Sequence, residues 1–354
     1  MGAALVHDQS DSTTLINEDS TRIDVYLPQT LDSWPWPRRV NPHYASVKQQ
    51  ASLWCESFQP FSPKAQNAFN KCDFAGYRVC CDMMNLFFCI DEITDLSTAD
   101  VVRSQVDIVM DAIRHPHRPR PSGEWVIGEM ARQFWANAAL IASPTAQARF
   151  IDSCQTYLDA LVQQAEDREK GHIRLVEDYF TVRRGSIGAA PSITIGALYL
   201  NIPQEAFDHP VISKLTEICV DMIIIGNDIC SYKVEWERGD EGHNLVTVIM
   251  QQFRTDVQHA MHHIANLHDR LFNRFLEHWR RIPLFGGPVD SEIRTYCNML
   301  ANWVRANDSW SFESERYFGT RGPKVQTTRL VYLSGSKREA RLVSDNAVAP
   351  RRDK

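Results

Sequence analysis

Residues 87–95 read FFCIDEITD, so two phenylalanines stand shortly before three carboxylates. Asp91 and Asp95 are four positions apart, which places them on one face of a helix. Phe87 and Phe88 lie about one turn upstream, on roughly the same side. The stretch therefore predicts a helix whose apolar flank ends in an acidic rim.

This acidic rim has two possible explanations. A core helix can pack its aromatic residues inward and leave its terminal carboxylates in solvent. Carboxylates near a helix C-terminus oppose the macrodipole, however, and a bound cation removes that conflict. Oxygen ligands without His or Cys favour Mg²⁺, which takes one or two carboxylates together with substrate phosphates. The spacing alone leaves both explanations open.

A second stretch, NDICSYKVE at residues 227–235, has the same layout. Asn227, Ser231 and Glu235 follow one another at intervals of four, and the apolar run VDMIIIG (220–226) precedes them. One amphipathic helix with a polar stripe is common. Two such helices facing each other would form an apolar pocket capped by metal ions. That pocket suits a substrate with a hydrocarbon body and a polyanionic head, such as an isoprenoid diphosphate.

Helical periodicity dominates the rest of the chain and predicts an all-α fold in a single domain over residues 23–334. Apolar residues recur with a 3.6-residue period over 101–115, 124–142 and 148–171. Strand patterns are scarce. The Pro- and Trp-rich segment 23–43 cannot form a long helix and predicts an extended arm.

Composition limits the partners and the location of the protein. The 354 residues carry a net charge of −6, which leaves no basic surface for nucleic acid. Apolar runs are too short to insert into a membrane, and the N-terminus lacks signal-peptide features. Nine scattered cysteines without a CxxC pair predict reduced thiols and a cytoplasmic protein. Segments 1–22 and 335–354 are polar or charged and are predicted to be disordered.

Four motifs occur in one order along the chain. DEITD (91–95) resembles the aspartate-rich motif D(D/E)xxD, and NDICSYKVE (227–235) matches NDxxSxxxE at every fixed position. RRGSIG (183–188) resembles a diphosphate-sensor stretch, and WSFESERYFG (310–319) resembles a segment ending in an Arg-Tyr pair. On these motifs the chain resembles class I terpene cyclases, specifically fungal sesquiterpene synthases of the basidiomycete type. The segment SWPWPRRVNPHY (33–44) is similar to the branch that makes humulyl-derived, protoilludene-type skeletons.

The resemblance implies a class I helical bundle and a set of site residues. It implies three Mg²⁺ ions held by carboxylate, amide and hydroxyl oxygens, which belong to Asp91, Asp95, Asn227, Ser231 and Glu235. It implies that four side chains bind the diphosphate, namely Arg184 as the sensor, Lys233, Arg316 and Tyr317. The residues with catalytic roles would be Asp91, Arg184, Gly188 at a helix break and Phe87 with its π face.

The implied activity is the Mg²⁺-dependent ionisation of farnesyl diphosphate. Cyclisation to a sesquiterpene hydrocarbon and release of diphosphate follow, in a monomer or homodimer. A chain-elongating prenyltransferase is a competing hypothesis, but it would use two aspartate-rich motifs. A non-catalytic helical protein is another.

Two features depart from the family pattern, and the second favours the non-catalytic alternative. Val234 stands where many relatives have a lysine that contacts diphosphate. Between KCDF (71–74) and AGYRVCCD (75–82) relatives carry further helical turns, including part of a pocket-lining helix. A shortened segment after Phe74 would fit a mis-spliced chain, an inactive isoform or an enzyme with an altered product.

Four polar residues beside the motifs match no metal spacing. His243 and Asn244 are interpreted as helix-capping or surface residues. Asp228 and Glu92 point about 100° away from the neighbouring ligands and are expected to contact those ligands rather than the metal.

Overall fold

The computed structural model describes residues 22–71 and 78–334, which fold into helices and one pair of short strands. The first helices are α1 (Tyr44–Ser57), α2 (Pro63–Asn70), α3 (Arg78–Thr94), α4 (Ala99–Arg114), α5 (Val126–Ala138), α6 (Pro144–Lys170), α7 (Val176–Ser186) and α8 (Ala189–Gly196). The helices that follow are α9 (Gln204–Phe207), α10 (Pro210–Arg238), α11 (Leu245–Phe253), α12 (Val257–Trp279), α13 (Val289–Glu313), α14 (Glu315–Phe318) and α15 (Gly322–Thr328). The strands are β1 (Ile23–Tyr26) and β2 (Leu330–Leu333), which pair antiparallel. The prediction of an all-α fold is confirmed.

The helices predicted from periodicity are present, with shifts at their ends. The predicted segments 101–115 and 148–171 correspond to α4 and α6. Helix α6 begins earlier than predicted because the Ser143 hydroxyl accepts a hydrogen bond from the Ala146 N–H at 3.2 Å and caps it. Gly171 ends the helix in the left-handed region with a φ of 60°, a conformation that glycine adopts at little cost.

Helix α10 lies at the centre of the fold and packs against α7, α11, α12 and α13. A helix that is apolar all round must be buried on all sides. The middle of α10 meets that condition with the buried residues Val220, Met222, Ile223, Ile224 and Ile225. This burial fixes the rotation of α10 about its axis. It therefore also fixes the direction of the polar side chains that follow Gly226.

Two apolar cores surround a large cavity. One core is built mainly by α3–α6, and the other by α7, α10–α13 and the N-terminal arm. Helix α8 contributes side chains to both cores. Residues of both cores line the cavity, so the two helices predicted to carry oxygen ligands, α3 and α10, face the same space.

The Pro- and Trp-rich arm is extended, as predicted, and it contains no helix between residues 22 and 43. Its indole rings pack against three aromatic residues of α12, which are Phe272, Phe275 and Trp279. The Trp34 Nε1 donates a hydrogen bond to the Ala301 carbonyl of α13 at 3.0 Å. Strand β1 then joins this arm to β2, a pairing that the sequence did not predict.

Some predictions concern residues outside the described part of the chain. Those residues are 1–21, 72–77 and 335–354. They include nearly all of the two segments predicted to be disordered, and the junction at which missing helical turns are expected. Within the described ranges, no helix combines the length and the apolarity needed to cross a membrane.

Candidate active site

A cavity of about 1180 Å³ is lined by residues of α2, α3, α6, α7, α10 and α14. Along α3 its lining changes from Met84, Phe87 and Phe88 to Asp91 and Asp95. The cavity therefore has an apolar end and an oxygen-rich end, as the sequence predicted. Its volume is slightly larger than the roughly 300–1,000 Å³ of common small-molecule sites.

Asp91 and Asp95, the α3 cluster, lie at the last turn of α3 and just beyond it. The Asp95 N–H donates to the Asp91 carbonyl at 3.0 Å, which continues the helical spacing past Thr94. Both side chains are partly buried, and this partial burial raises the pKa of both carboxyls. The negative charge of Asp91 raises the pKa of Asp95 further, while Arg316 opposes the shift at Asp91.

Asn227, Ser231 and Glu235, the α10 cluster, line the cavity from the other core. Arg183 Nη2 donates to Asn227 Oδ1 at 2.7 Å. A guanidinium only donates, so the amide oxygen of Asn227 must face it. Burial, followed by the charge of Asp228, raises the pKa of Glu235 to about 7.

Helix α14 connects the two clusters. Arg316 Nη2 donates to Asp91 Oδ2 at 3.1 Å, and its Nη1 donates to Glu92 Oε1 at 3.0 Å. The next residue, Tyr317, accepts a hydrogen bond from Asn227 Nδ2 at 2.8 Å. Adjacent residues of one short helix thus contact the α3 cluster and the α10 cluster. The structure brings this Arg-Tyr pair to the cavity, and Glu92 contacts Arg316 rather than the neighbouring Asp91.

The structure places Arg183, and not Arg184, in the cavity lining. The side chain of Arg183 is only 11% exposed. Arg184 turns to the other side of α7 and forms a two-hydrogen-bond pair with Asp221 at 2.7 and 2.9 Å. Neighbouring residues of a helix point about 100° apart, and on α7 this difference turns Arg184 away from the cavity. The structure therefore does not bring Arg184 to the predicted diphosphate site, and Arg183 lies there instead.

A buried network that the sequence did not predict holds Arg183 in place. Asp228 is fully buried and accepts hydrogen bonds from Arg183 Nη2 at 3.2 Å and from the Leu245 N–H at 3.0 Å. The Tyr179 hydroxyl also donates to Asp228. Tyr179 stands four positions before Arg183, on the same helix face, and this spacing was the available sequence signal.

The break predicted at Gly188 is present between α7 and α8. Gly188 has a φ of 70°, a left-handed conformation that other residues adopt at a cost. Its carbonyl accepts hydrogen bonds from the N–H and the hydroxyl of Ser192. Pro191 lacks an N–H, so it cannot donate to the Ile187 carbonyl four positions earlier. Ile187 itself lines the cavity.

Both phenylalanines of the first motif line the cavity. The Phe87 ring lies 4.6 Å from the Tyr157 ring, centroid to centroid. The Phe88 ring lies beneath the Arg316 guanidinium, with 4.4 Å between the carbon Cζ and the ring centroid. Phe87 and Tyr157 therefore present aromatic surface in the apolar part of the site, whereas Phe88 supports Arg316.

Replacing Gly188 with alanine is expected to lower the free energy of unfolding by about 1–2 kcal/mol, because its φ is strained for an L-residue. The new Cβ would lie 3.4 Å from Phe87 and 3.5 Å from Tyr157 and would narrow the cavity between them. Gly123→Ala is the matched control, because Gly123 has a φ of 80° and a Cβ added there would meet nothing within 4 Å. Urea unfolding should show a lower free energy of unfolding for both variants. Only Gly188→Ala should change the mixture of reaction products. A mixture identical to that of wild type would contradict the prediction that Gly188 lies in the wall of the cavity.

Lys233 is not among the lining residues, and it pairs with Glu237 one turn further along α10. The structure therefore does not bring it to the predicted diphosphate site. Val234, which occupies the place of the family lysine, does line the cavity. The guanidinium of Arg183 on α7 contacts Asn227 of the α10 cluster instead.

The donor set fits a hard divalent cation. Both clusters offer carboxylate, amide and hydroxyl oxygens, the ligands that Mg²⁺ prefers. Burial raises the pKa of these carboxyls, and a bound cation would favour their charged forms. Within residues 22–71 and 78–334, no group of three acidic, His or Cys side chains converges on one point. Metal binding would therefore need further oxygens, such as those of a diphosphate.

Comparison with known proteins identifies the family. The sequence profile described as "Terpene synthase family 2, C-terminal metal binding" matches residues 82–274. This chain belongs to the terpene synthase family. The matched range begins before the α3 cluster and ends after the α10 cluster, and the family acts on isoprenoid diphosphates.

Fungal relatives narrow the comparison. A Delta(6)-protoilludene synthase of Hypholoma sublateritium is 59% identical over 320 residues, covering 90% of this chain and 98% of that protein. A Delta(6)-protoilludene synthase of Armillaria ostoyae is 50% identical over 319 residues, covering 87% and 93%. The predictions of a terpene cyclase and of a fungal sesquiterpene synthase are confirmed.

Solved structures agree on the fold. A cucumene synthase variant superposes with a TM-score of 0.71 at 20% identity, covering 80% of this chain and 99% of that one. Hedycaryol synthase in complex with HEPES superposes with a TM-score of 0.69 at 18% identity, covering 81% and 98%. At these identities the likeness concerns the fold alone, and it confirms the predicted class I helical bundle.

Proposed function

We propose that this terpene synthase ionises farnesyl diphosphate with three Mg²⁺ ions and cyclises the resulting cation to a protoilludene-type sesquiterpene. The observation that carries this proposal is the placement of the α3 cluster, the α10 cluster, Arg183 and Arg316 around one cavity with an aromatic end. The product class rests on the two protoilludene synthases that are at least 50% identical to the chain.

The diphosphate would lie between Arg183 and Arg316. Both guanidiniums suit phosphate because they donate parallel hydrogen bonds. Arg183 Nε is buried without a hydrogen-bond acceptor among the described residues, so its N–H is available to donate to the diphosphate. Arg316, which contacts Asp91 and Glu92, would transfer its hydrogen bonds to the diphosphate. Asp91 would then be available for a metal.

Bound Mg²⁺, held by the α3 and α10 clusters, would act as a Lewis acid on the leaving diphosphate. Arg183, Arg316 and the Tyr317 hydroxyl would stabilise the negative charge that develops as the C–O bond breaks. All three residues line the cavity, and Arg316 would first exchange Asp91 and Glu92 for the diphosphate.

The allylic cation that remains would lie in the apolar part of the cavity. Phe87 and Tyr157 offer π faces there, which attract a cation electrostatically. Met84 and Ile187 add apolar surface that excludes water, which would otherwise quench the cation. The shape of this wall would decide which ring closures follow.

The experiment is incubation of the purified chain with Mg²⁺ and, in separate reactions, with geranyl, farnesyl and geranylgeranyl diphosphate. Extracted volatiles are identified by gas chromatography–mass spectrometry. We expect a tricyclic sesquiterpene hydrocarbon from farnesyl diphosphate, and none with EDTA or with Asn227→Ala. Only farnesol at the level of the no-enzyme control, from folded protein, would favour the non-catalytic alternative.

A further inference from the structure

Asn244 lies at the N-terminus of α11, and its side chain is completely buried. Its Oδ1 accepts a hydrogen bond from the Val246 N–H at 2.9 Å, so it caps the helix, as the sequence predicted. It is not a surface residue, contrary to the alternative interpretation. Because a backbone N–H only donates, this contact also determines which end of the amide is the oxygen.

The other end of the same amide reaches helix α10 at three points. Asn244 Nδ2 lies 3.0 Å from the Asp228 carbonyl, 3.3 Å from Ser231 Oγ and 2.9 Å from Glu235 Oε2. A carbonyl only accepts, which again places the amide nitrogen on this side. One side chain of α11 therefore contacts two of the three members of the α10 cluster.

These contacts exclude some roles and support another. The amide nitrogen carries no lone pair for a metal, and Asn244 is not among the residues that line the cavity. Asn244 therefore acts through the residues it contacts. Donation to Glu235 Oε2 restricts rotation of the carboxylate. The other oxygen, Oε1, does not contact Asn244. The contact with Ser231 Oγ leaves the hydroxyl a lone pair to offer to a ligand.

We propose that Asn244 is a positioning residue that holds Ser231 and Glu235 in the geometry required to bind a divalent cation together with diphosphate. The inference rests on the proposed function, because it assigns a support to that same site. Residues that orient metal ligands from behind typically contribute 10–100-fold to metal affinity.

Two substitutions separate this role from helix capping. Asn244→Asp keeps an oxygen for the Val246 N–H but places an acceptor opposite Glu235. Asn244→Ser keeps a residue type that caps helices as well as Asn does, and it lacks the amide nitrogen. Asp256→Ala is the matched control, because Asp256 caps α12 by accepting from the His259 N–H at 2.8 Å and does not line the cavity.

The measurement is thermal unfolding of each full-length protein in Mg²⁺ titrations at a fixed concentration of inorganic diphosphate. Ligand binding to the folded state raises the melting temperature. We expect both Asn244 variants to need about 10–100-fold more Mg²⁺ for half of the maximal rise. Asp256→Ala should lower the metal-free melting temperature and leave the Mg²⁺ midpoint unchanged.

The outcomes distinguish the two proposals. If wild-type protein shows no rise with Mg²⁺ and diphosphate, the proposed metal–diphosphate site fails. If wild-type protein responds and the Asn244 variants keep its midpoint, the positioning role is overturned, whether or not their metal-free stability falls. If Asn244→Asp does not fold, Asn244→Ser decides the matter.

Discussion

Replacing Arg183 with glutamine is expected to lower kcat/KM for farnesyl diphosphate by about 10²–10³-fold. Arg183 is the arginine of α7 that lines the cavity, and it contacts Asn227 and Asp228. A positive charge fixed beside the leaving diphosphate stabilises the transition state more than the ground state, so its removal should reduce kcat. Steady-state kinetics with pyrophosphate detection measures the effect.

Arg184→Gln is the matched control one residue away. Arg184 pairs with Asp221 outside the cavity, and the Asp221 carboxylate is buried. Loss of this partner leaves a buried carboxyl without its cation, so the melting temperature should fall. For folded protein, kcat/KM should change by no more than about threefold. The Arg184–Asp221 pair would make the same contacts in the ground state and in the transition state. A large loss in Arg184→Gln with normal kinetics in Arg183→Gln would return the sensor role to Arg184.

Replacing Glu235 with glutamine is the second large change that we expect. The carboxylate of Glu235 is the only formal negative charge of the α10 cluster, and Gln retains its shape. Because the charge attracts a divalent cation that in turn stabilises the leaving group, kcat/KM should fall by about 10²–10³-fold. The Mg²⁺ concentration needed for half-maximal activity should rise as well.

Glu237→Gln on the same helix is the control for this change. Glu237 pairs with Lys233 and is not among the lining residues. Its replacement removes the same charge from α10 two positions later, so a general electrostatic effect would appear in both variants. We expect kinetics close to those of wild type for Glu237→Gln. Equal losses in the two variants would contradict a metal-ligand role for Glu235.

Much of the site could be predicted because helical spacing determines which residues share a face. The intervals of four in Asp91–Asp95 and Asn227–Ser231–Glu235 were sufficient to predict that these oxygen-bearing side chains face one cavity. The resemblance to the family then implied that these helices face one another. The buried centre of α10, with Ile223, Ile224 and Ile225, explains why its orientation is well defined.

The features that escaped prediction depend on packing between distant segments. Motif order could not distinguish Arg183 from Arg184, because that choice depends on the rotation of α7 against α10. The capping role of Asn244 could be predicted from the apolar run that follows it. Its contacts with Ser231 and Glu235 could not, since they require α11 to pack beside α10. The pairing of β1 with β2 joins short strands from opposite ends of the described chain, which no local pattern indicates.

The most direct test of the central claim is a crystal structure of the protein with Mg²⁺ and inorganic diphosphate. We expect metal ions bound by Asp91 on one side and by Asn227, Ser231 and Glu235 on the other. Diphosphate oxygens should accept hydrogen bonds from Arg183 and Arg316. A diphosphate bound by Arg184 outside the cavity, or metal ions that leave the α10 cluster uncoordinated, would contradict this arrangement.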